Sequence, residues 1–216
     1  MSSPTPPVSL RAMELADVPT AVRLHRTNLP TGFFVELGDR FLRRYYRTFL
    51  TSPAAVALVA EVEGTMVGFL VGSTDEVAHH RHTIDLSRWG LARVGATALL
   101  ARPELTAHFM RTRARRYLRG IRRRTAPTTA AEGEPVRTGV LSHIAVDEPG
   151  RGAGVGTALV EGFVRIAAVH GVEQLRLYTG PGNDTARNFY KRLGWREHTV
   201  QHDLDNKPWV PFTLDL

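Results

Sequence analysis

The apolar positions of the chain recur in two periods, and each stretch follows one of them. Val8–Ala12 alternates as a short strand. Residues 17–28 place Val18, Ala21, Val22 and Leu24 at helical spacing, with Asp17 as the expected N-cap and Pro19 near the first turn. Residues 29–38 read as a loop holding exposed-looking Phe33 and Phe34. Residues 39–50 predict a second helix: Phe41, Leu42, Tyr45, Tyr46 and Phe49 share one side, while Arg40, Arg43, Arg44 and Arg47 share the other. The apolar runs 56–62 and 66–71 flank Glu63-Gly64-Thr65, which predicts an antiparallel hairpin.

A different texture follows. Residues 84–101 allow a helix, and 103–124 read more clearly as one. Pro103 suits its first turn, and Leu105, Phe109, Leu118 and Ile121 form an apolar stripe among eight arginines between 111 and 124. Residues 125–134 have linker composition. Regular patterning then resumes: a strand at 140–146, a helix at 156–170, a strand at 175–179, and a short helix at 184–193 ending at Gly194. Two further strands are expected at 195–204 and 209–214, and no internal repeat is present.

A length of 216 residues points to a single domain spanning 1–216, with 75–137 as an insertion. The absence of cysteine excludes disulfides, thiolate metal sites and a Cys nucleophile. No apolar run approaches the ~20 residues of a membrane-spanning helix. The polar, proline-rich start does not read as a signal peptide, so the expected location is the cytoplasm. The net charge of +7 is unevenly placed. Residues 75–137 hold 13 Arg against 6 Asp and Glu, while the remaining 15 basic and 15 acidic residues balance. This is a near-neutral domain carrying one basic block.

The densest chemical signal is the run Asp147-Glu-Pro-Gly150-Arg151-Gly152-Ala153-Gly154-Val155-Gly156-Thr157 between a strand and a helix. Glycines allow backbone amides to crowd against a ligand, and a helix N-terminus adds partial positive charge, so the turn suits a pyrophosphate. The dinucleotide fingerprint fails in both registers, at Val155 and at Thr157, and no Gly-Lys-Ser/Thr of a P-loop is present.

Arg151-x-x-Gly154-x-Gly156 after Leu141-Ser-His-Ile-Ala-Val146 resembles the acyl-CoA motif of the GNAT acetyltransferase superfamily. Asn183-Asp-Thr-Ala186-Arg-Asn-Phe189-Tyr190-Lys-Arg-Leu193-Gly194-Trp195 resembles that superfamily's second motif. The resemblance spans about 139–196, is weaker over 8–73, and leaves 75–137 outside. It implies an α+β fold of the three-layer α/β type. The central sheet would be mixed and strongly curved, with six to seven strands and helices on both faces, plus the basic helical insertion. The strands 140–146 and 175–179 would splay apart to admit the pantetheine arm of acetyl-CoA. Backbone groups of Ile144 and Val146 would bond that arm, amides of Arg151, Gly152, Ala153, Gly154, Val155 and Gly156 with Thr157 would hold the pyrophosphate, and Asn183 would contact the arm.

The implied reaction is acetyl transfer to a primary amine by direct attack in a ternary complex, the acceptor being a small molecule rather than a protein. Tyr190 stands where the family places a general acid. His143 has the intrinsic pKa of a base, and it alternates with Ser142 along the strand, so only one of them faces the gap. Glu36 is a further candidate base, and water-mediated deprotonation is an alternative. Tyr178 stands near the position where some relatives carry a carboxylate, which sets a direct carboxylate base there aside. Phe33, Phe34, Glu36 and Tyr178 are the candidate acceptor contacts. His79-His80-Arg81-His82 reads as a solvated loop, and no metal site is expected. Residues 111–124 offer guanidiniums to an anionic partner, and a homodimer fits the insertion as well. Two other classes compete: a silent CoA-binding sensor, and a membrane or nucleic-acid binder using the Arg-rich helix.

Overall fold

The computed structural model describes residues 7–30, 33–84, 136–203 and 206–216. Eight strands form the sheet: β1 (Val8–Ala12), β2 (Ala55–Val62), β3 (Thr65–Ser73), β4 (Thr138–Val146), β5 (Gln174–Thr179), β6 (Arg196–Glu197), β7 (Gln201–His202) and β8 (Pro208–Asp215). Their order is β1-β2-β3-β4-β5-β8-β6, with β7 on β8. Five described helices flank them: α1 (Val18–Asn28), α2 (Phe33–Glu36), α3 (Asp39–Thr51), α4 (Val155–Val169) and α5 (Asp184–Arg192). Residues 76–84 are also helical. No described helix is long and apolar enough to cross a membrane.

The β2–β3 hairpin is antiparallel, as its turn chemistry requires. Glu63 and Gly64 both take positive φ, 51° and 74°, the geometry of a tight two-residue turn. The sheet separates two cores. On one side α1 and α3 bury Val18, Ala21, Val22, Leu24, Leu42, Tyr46 and Phe49 against Val59, Phe69, Val71 and Ala145. On the other, α4 and α5 bury Leu159, Val160, Phe163 and Tyr190 against Leu58, Leu70, Leu175 and Phe212. Gly72 permits the close seating of α4, since a Cβ there would stand 2.7 Å from Phe163 Cζ. The outer face of α3 leaves Arg40, Arg43, Arg44 and Arg47 exposed.

The expected sheet is corrected in two respects. Among the described residues it has eight strands rather than six to seven, and it is mixed but not strongly curved. The opening between β4 and β5 needs no such curvature. The two strands pair in parallel at only three positions, Thr138–Gln174, Gly139–Leu175 and Val140–Arg176, after which the ladder stops. The opening is made locally, by ending a ladder.

Smaller corrections follow the local chemistry. Residues 29–38 are not wholly loop, because α2 forms at Phe33–Glu36. Asp17 precedes α1 without capping it through its side chain. Its carboxylate instead accepts from Arg11 at 2.6 and 2.8 Å and from the Glu14 amide at 2.8 Å, and Arg11 holds its pKa below the usual carboxylate range. The strand expected at 195–204 is broken into β6 and β7. His79–His82 lies in the helical residues 76–84, not in a loop. Its members diverge: His79 packs 4.5 Å from Phe49, and His82 Nε2 hydrogen-bonds Thr51 Oγ1 at 3.0 Å. The helix expected at 84–101, apart from residue 84, the helix expected at 103–124, the linker at 125–134 and the arginines of 111–124 lie outside the described residues.

Candidate functional site

The site is built on β4. The Asp147 amide donates to the Val67 carbonyl at 2.8 Å, toward β3. Backbone groups alternate sides along a strand, so the amides and carbonyls of Ile144 and Val146 turn the other way, toward β5, where no ladder remains. Side chains alternate as well. Ile144 and Val146 pack on the α4 side, whereas Ala145 lies in the α1/α3 core. His143 meets α1 and α3 too, with its ring 5.0 Å from that of His25 and 5.6 Å from that of Tyr45.

Beyond β4 the chain turns tightly. Asp147 accepts from the Glu148 amide at 3.2 Å and pairs with Arg23 at 3.3 Å. Gly152 and Gly154 take φ of 77° and 80°, where a side chain is strained, and nothing lies within 4 Å of where either Cβ would stand. Gly154 is the N-cap of α4. Glycines at 152 and 154 therefore leave open space at the N-terminus of a 15-residue helix. Ala153, Gly156 and Thr157 are partly exposed beside it, and Val155 is buried beneath. Arg151 folds back, donating through Nε to the Val146 carbonyl at 3.3 Å and through Nη2 to Asn28 Oδ1. The arrangement fits a pyrophosphate.

Tyr190 sits in α5, 5% exposed, among Phe189, Trp195 and Phe212 with ring centroids 5.2–5.8 Å away. Burial raises its pKa, so the phenol stays protonated. Asn183 caps α5, its side chain accepting from the Ala186 amide at 3.1 Å.

A model of the GNAT acetyltransferase family matches residues 117–195, from within the Arg-rich segment to Trp195. The stretch similar to this family is about a third of the chain. The match reaches further back than the motif resemblance, which begins at about 139. An uncharacterised N-acetyltransferase of Methanocaldococcus jannaschii is 40% identical over 60 residues, 28% of this chain and 26% of that protein. The aligned part thus covers about a quarter of the relative's length. Among solved structures, Ard1 from Thermoplasma volcanium shares the fold with a TM-score of 0.59 at 18% identity, over 97% of both chains. A GNAT family acetyltransferase from Elizabethkingia anophelis with acetyl-CoA bound matches with a TM-score of 0.54 at 13% identity, over 97% of this chain and 98% of that one.

The sequence-predicted acceptor residues are dispersed over α2 and β5. Phe34 is half-buried, stacked 5.5 Å from Phe41 and 4.7 Å from Tyr45. Phe33 opens α2, Glu36 is exposed at its end, and Tyr178 is 54% exposed on β5. His143 does not stand alone. Its Nε2 shares a 3.2 Å hydrogen bond with Tyr45 Oη, and His25 Nδ1 shares one of 2.5 Å with Tyr46 Oη. Burial, then the neighbouring His25, pushes the His143 pKa down to about 3. Burial alone pushes His25 down to about 4. Sequence reasoning placed Tyr45 and Tyr46 in the core of α3 and passed over His25. The available signal was that His25 continues the buried face of α1, four residues after Ala21 and three after Val22.

Proposed function

We propose that this chain is an acetyl-CoA-dependent N-acetyltransferase that acetylates a primary amine by direct attack in a ternary complex. The observation that carries the reading is the open glycine cradle at the N-terminus of α4, set beside the strand whose ladder to β5 ends after Val140. The amides of Arg151–Gly156, extended by Thr157, would hold the pyrophosphate. Backbone groups of Ile144 and Val146, which no longer pair with β5, would bond the pantetheine arm, the Val146 carbonyl on release from Arg151 Nε, and Asn183 would approach it. Acetyl-CoA, as donor substrate, supplies a thioester carbon activated toward an amine.

The residues of the chain manage protons. Tyr190 holds its proton at neutral pH, and its hydroxyl has no hydrogen-bond partner among the described residues. It would carry a proton for a departing thiolate, as a weaker acid than an ordinary phenol because burial raises its pKa. An amide on the unpaired edge of β4, such as that of Val146, would stabilise developing negative charge on oxygen. His143 stays neutral and is too weak a base to strip a proton from an ammonium ion. It serves as a hydrogen-bonding wall, and the amine proton leaves through water.

Thiol release from acetyl-CoA, measured over a panel of amines together with calorimetric binding of acetyl-CoA, tests the reading. Amine-dependent release supports it. Binding without release from any amine would leave a CoA-binding sensor in its place.

A further inference from the structure

Two contacts tie α1 to the turn beyond β4. Arg23 Nη1 pairs with Asp147, the first residue of that turn, at 3.3 Å. Asn28, the last residue of α1, meets Arg151. The Asn28 carboxamide is fixed in orientation by its two partners. The Leu24 carbonyl only accepts, so Nδ2 faces it at 2.9 Å, and the Arg151 guanidinium only donates, so Oδ1 faces Nη2. The same guanidinium donates through Nε to the Val146 carbonyl at 3.3 Å. Arg151 therefore bridges the end of α1 and the edge of β4 that has left the β5 ladder.

The backbone of the turn is held independently of this side chain. The Asp147 amide donates to the Val67 carbonyl at 2.8 Å, the Gly150 amide to the Asp147 carbonyl at 3.0 Å, and the Arg151 amide to the Glu148 carbonyl at 3.1 Å. Arg151 is exposed, so its guanidinium can leave both partners without remodelling the turn. Both partners are neutral oxygens. A phosphate oxygen is anionic and binds a guanidinium more strongly, often through two parallel bonds. Arg151 stands three residues before Gly154, the N-cap of α4, where the phosphates of the donor would lie.

We propose that Asn28 is a positioning residue that regulates donor binding. It holds Arg151 across the Val146 carbonyl, and the pantetheine arm gains that carbonyl only when the donor's pyrophosphate draws the guanidinium away. The proposal rests on the acetyltransferase reading and adds a latch to its donor site. The latch gives the phosphates a second task besides anchoring. A thioester that carries them exchanges two neutral acceptors of Arg151 for anionic ones and opens the strand edge in the same step. A thioester without them must displace Arg151 with nothing to offer the guanidinium, so the site favours donors that bear the phosphate handle. Asn28 acts through Arg151 and touches neither substrate.

The test uses the full chain and calorimetric titration with acetyl-CoA. Asn28→Ala removes the acceptor that holds Arg151 and should tighten the acetyl-CoA Kd about fivefold. The same substitution loses the bond to the Leu24 carbonyl and should lower Tm, so affinity and stability move in opposite directions. An Asn28 that only supports the fold would give the lower Tm with unchanged or weaker binding, and that result overturns the proposal. Arg151→Ala removes the latch and the phosphate partner together and should weaken acetyl-CoA binding about tenfold. In that background Asn28→Ala should leave Kd where it is, because its effect passes through Arg151. A fivefold gain that persists there overturns the proposal as well. Binding of acetyl-CoA by the parent chain measures the acetyltransferase reading itself. Its absence overturns both, whereas parent binding with the wrong sign at Asn28 overturns the latch alone.

Discussion

The two sides of β4 use different means to build a surface. On the α4 side the site is made of backbone: glycines in left-handed conformations, a helix N-terminus and the unpaired edge of a strand. On the α1/α3 side it is made of side chains, two His–Tyr pairs whose members come from α1, α3 and β4. A backbone surface is specific for shape and charge and is indifferent to most side-chain changes except those that fill it. A side-chain surface is tuned residue by residue, and its protonation follows its burial. The first suits a donor with an invariant phosphate handle.

The largest effect should come from filling the backbone side. Gly154→Val puts a branched side chain at φ 80° and into open space at the N-cap of α4. Loss of two or three amide–anion bonds, each worth about 1.5 kcal/mol, predicts about a 1,000-fold weaker acetyl-CoA Kd by calorimetry. Binding of an acceptor amine should be unchanged. A Kd within tenfold of the parent would mean that the donor does not sit on this turn.

The opposite side should respond to pH. His25 and His143 have folded pKa values near 4 and 3, below the ordinary 6.5 of an unfolded chain. Between these values the unfolded state binds more protons, so stability is full above pH 6.5 and is lost as pH falls toward the folded values. At pH 5 each imidazole removes about 2 kcal/mol, together about 4 kcal/mol. His79, also held near 4 by burial first, adds to the same trend. Denaturant unfolding at pH 7 and pH 5 measures the loss. Replacing His25 and His143 by Gln should flatten the dependence, and an equally steep slope in that variant would assign it elsewhere.

On the α4 side, Tyr190→Phe keeps a buried ring and removes the proton. It should lower kcat about 100-fold with acetyl-CoA Kd unchanged. An unaltered kcat would remove Tyr190 from the chemistry and leave it as packing between Trp195 and Phe212.

The same contrast explains what the sequence disclosed. The glycine turn was legible because positive φ at Gly152 and Gly154 demands a particular residue at a particular spacing, and that demand is local. The strand–turn–helix around it and the hairpin at Glu63-Gly64 were legible for the same reason. The His–Tyr wall was not. Tyr45 and His143 are 98 positions apart, and His25 and Tyr46 are 21 apart, so nothing short-range marks them as partners. Each obeys the apolar period of its own element and reads as core. The opening between β4 and β5 was foreseen but assigned to a curved sheet, because pairing that ends after three residues has no signature in a single strand's pattern. The split of the expected strand 195–204 has a similar origin, since β6 and β7 each pair with β8 over only two residues.

Asn183 offers the smallest and most discriminating test, because one side chain is claimed by both a local and a functional role. Its Oδ1 already accepts from the Ala186 amide as the cap of α5, the helix that carries Tyr190. Asn183→Ala should therefore cost about 1 kcal/mol of stability through the lost cap, read as a lowered Tm. The Nδ2 group remains available to the donor. Its loss should weaken acetyl-CoA binding about fivefold, the scale of a single neutral hydrogen bond. Asn183→Asp separates the roles, because aspartate caps as well as asparagine but has no amide to donate. Parent stability with the same fivefold loss of binding would assign Asn183 to the donor. Parent stability with parent binding would make it a cap alone, and the backbone side of the site would then hold its ligand without any side chain from α5.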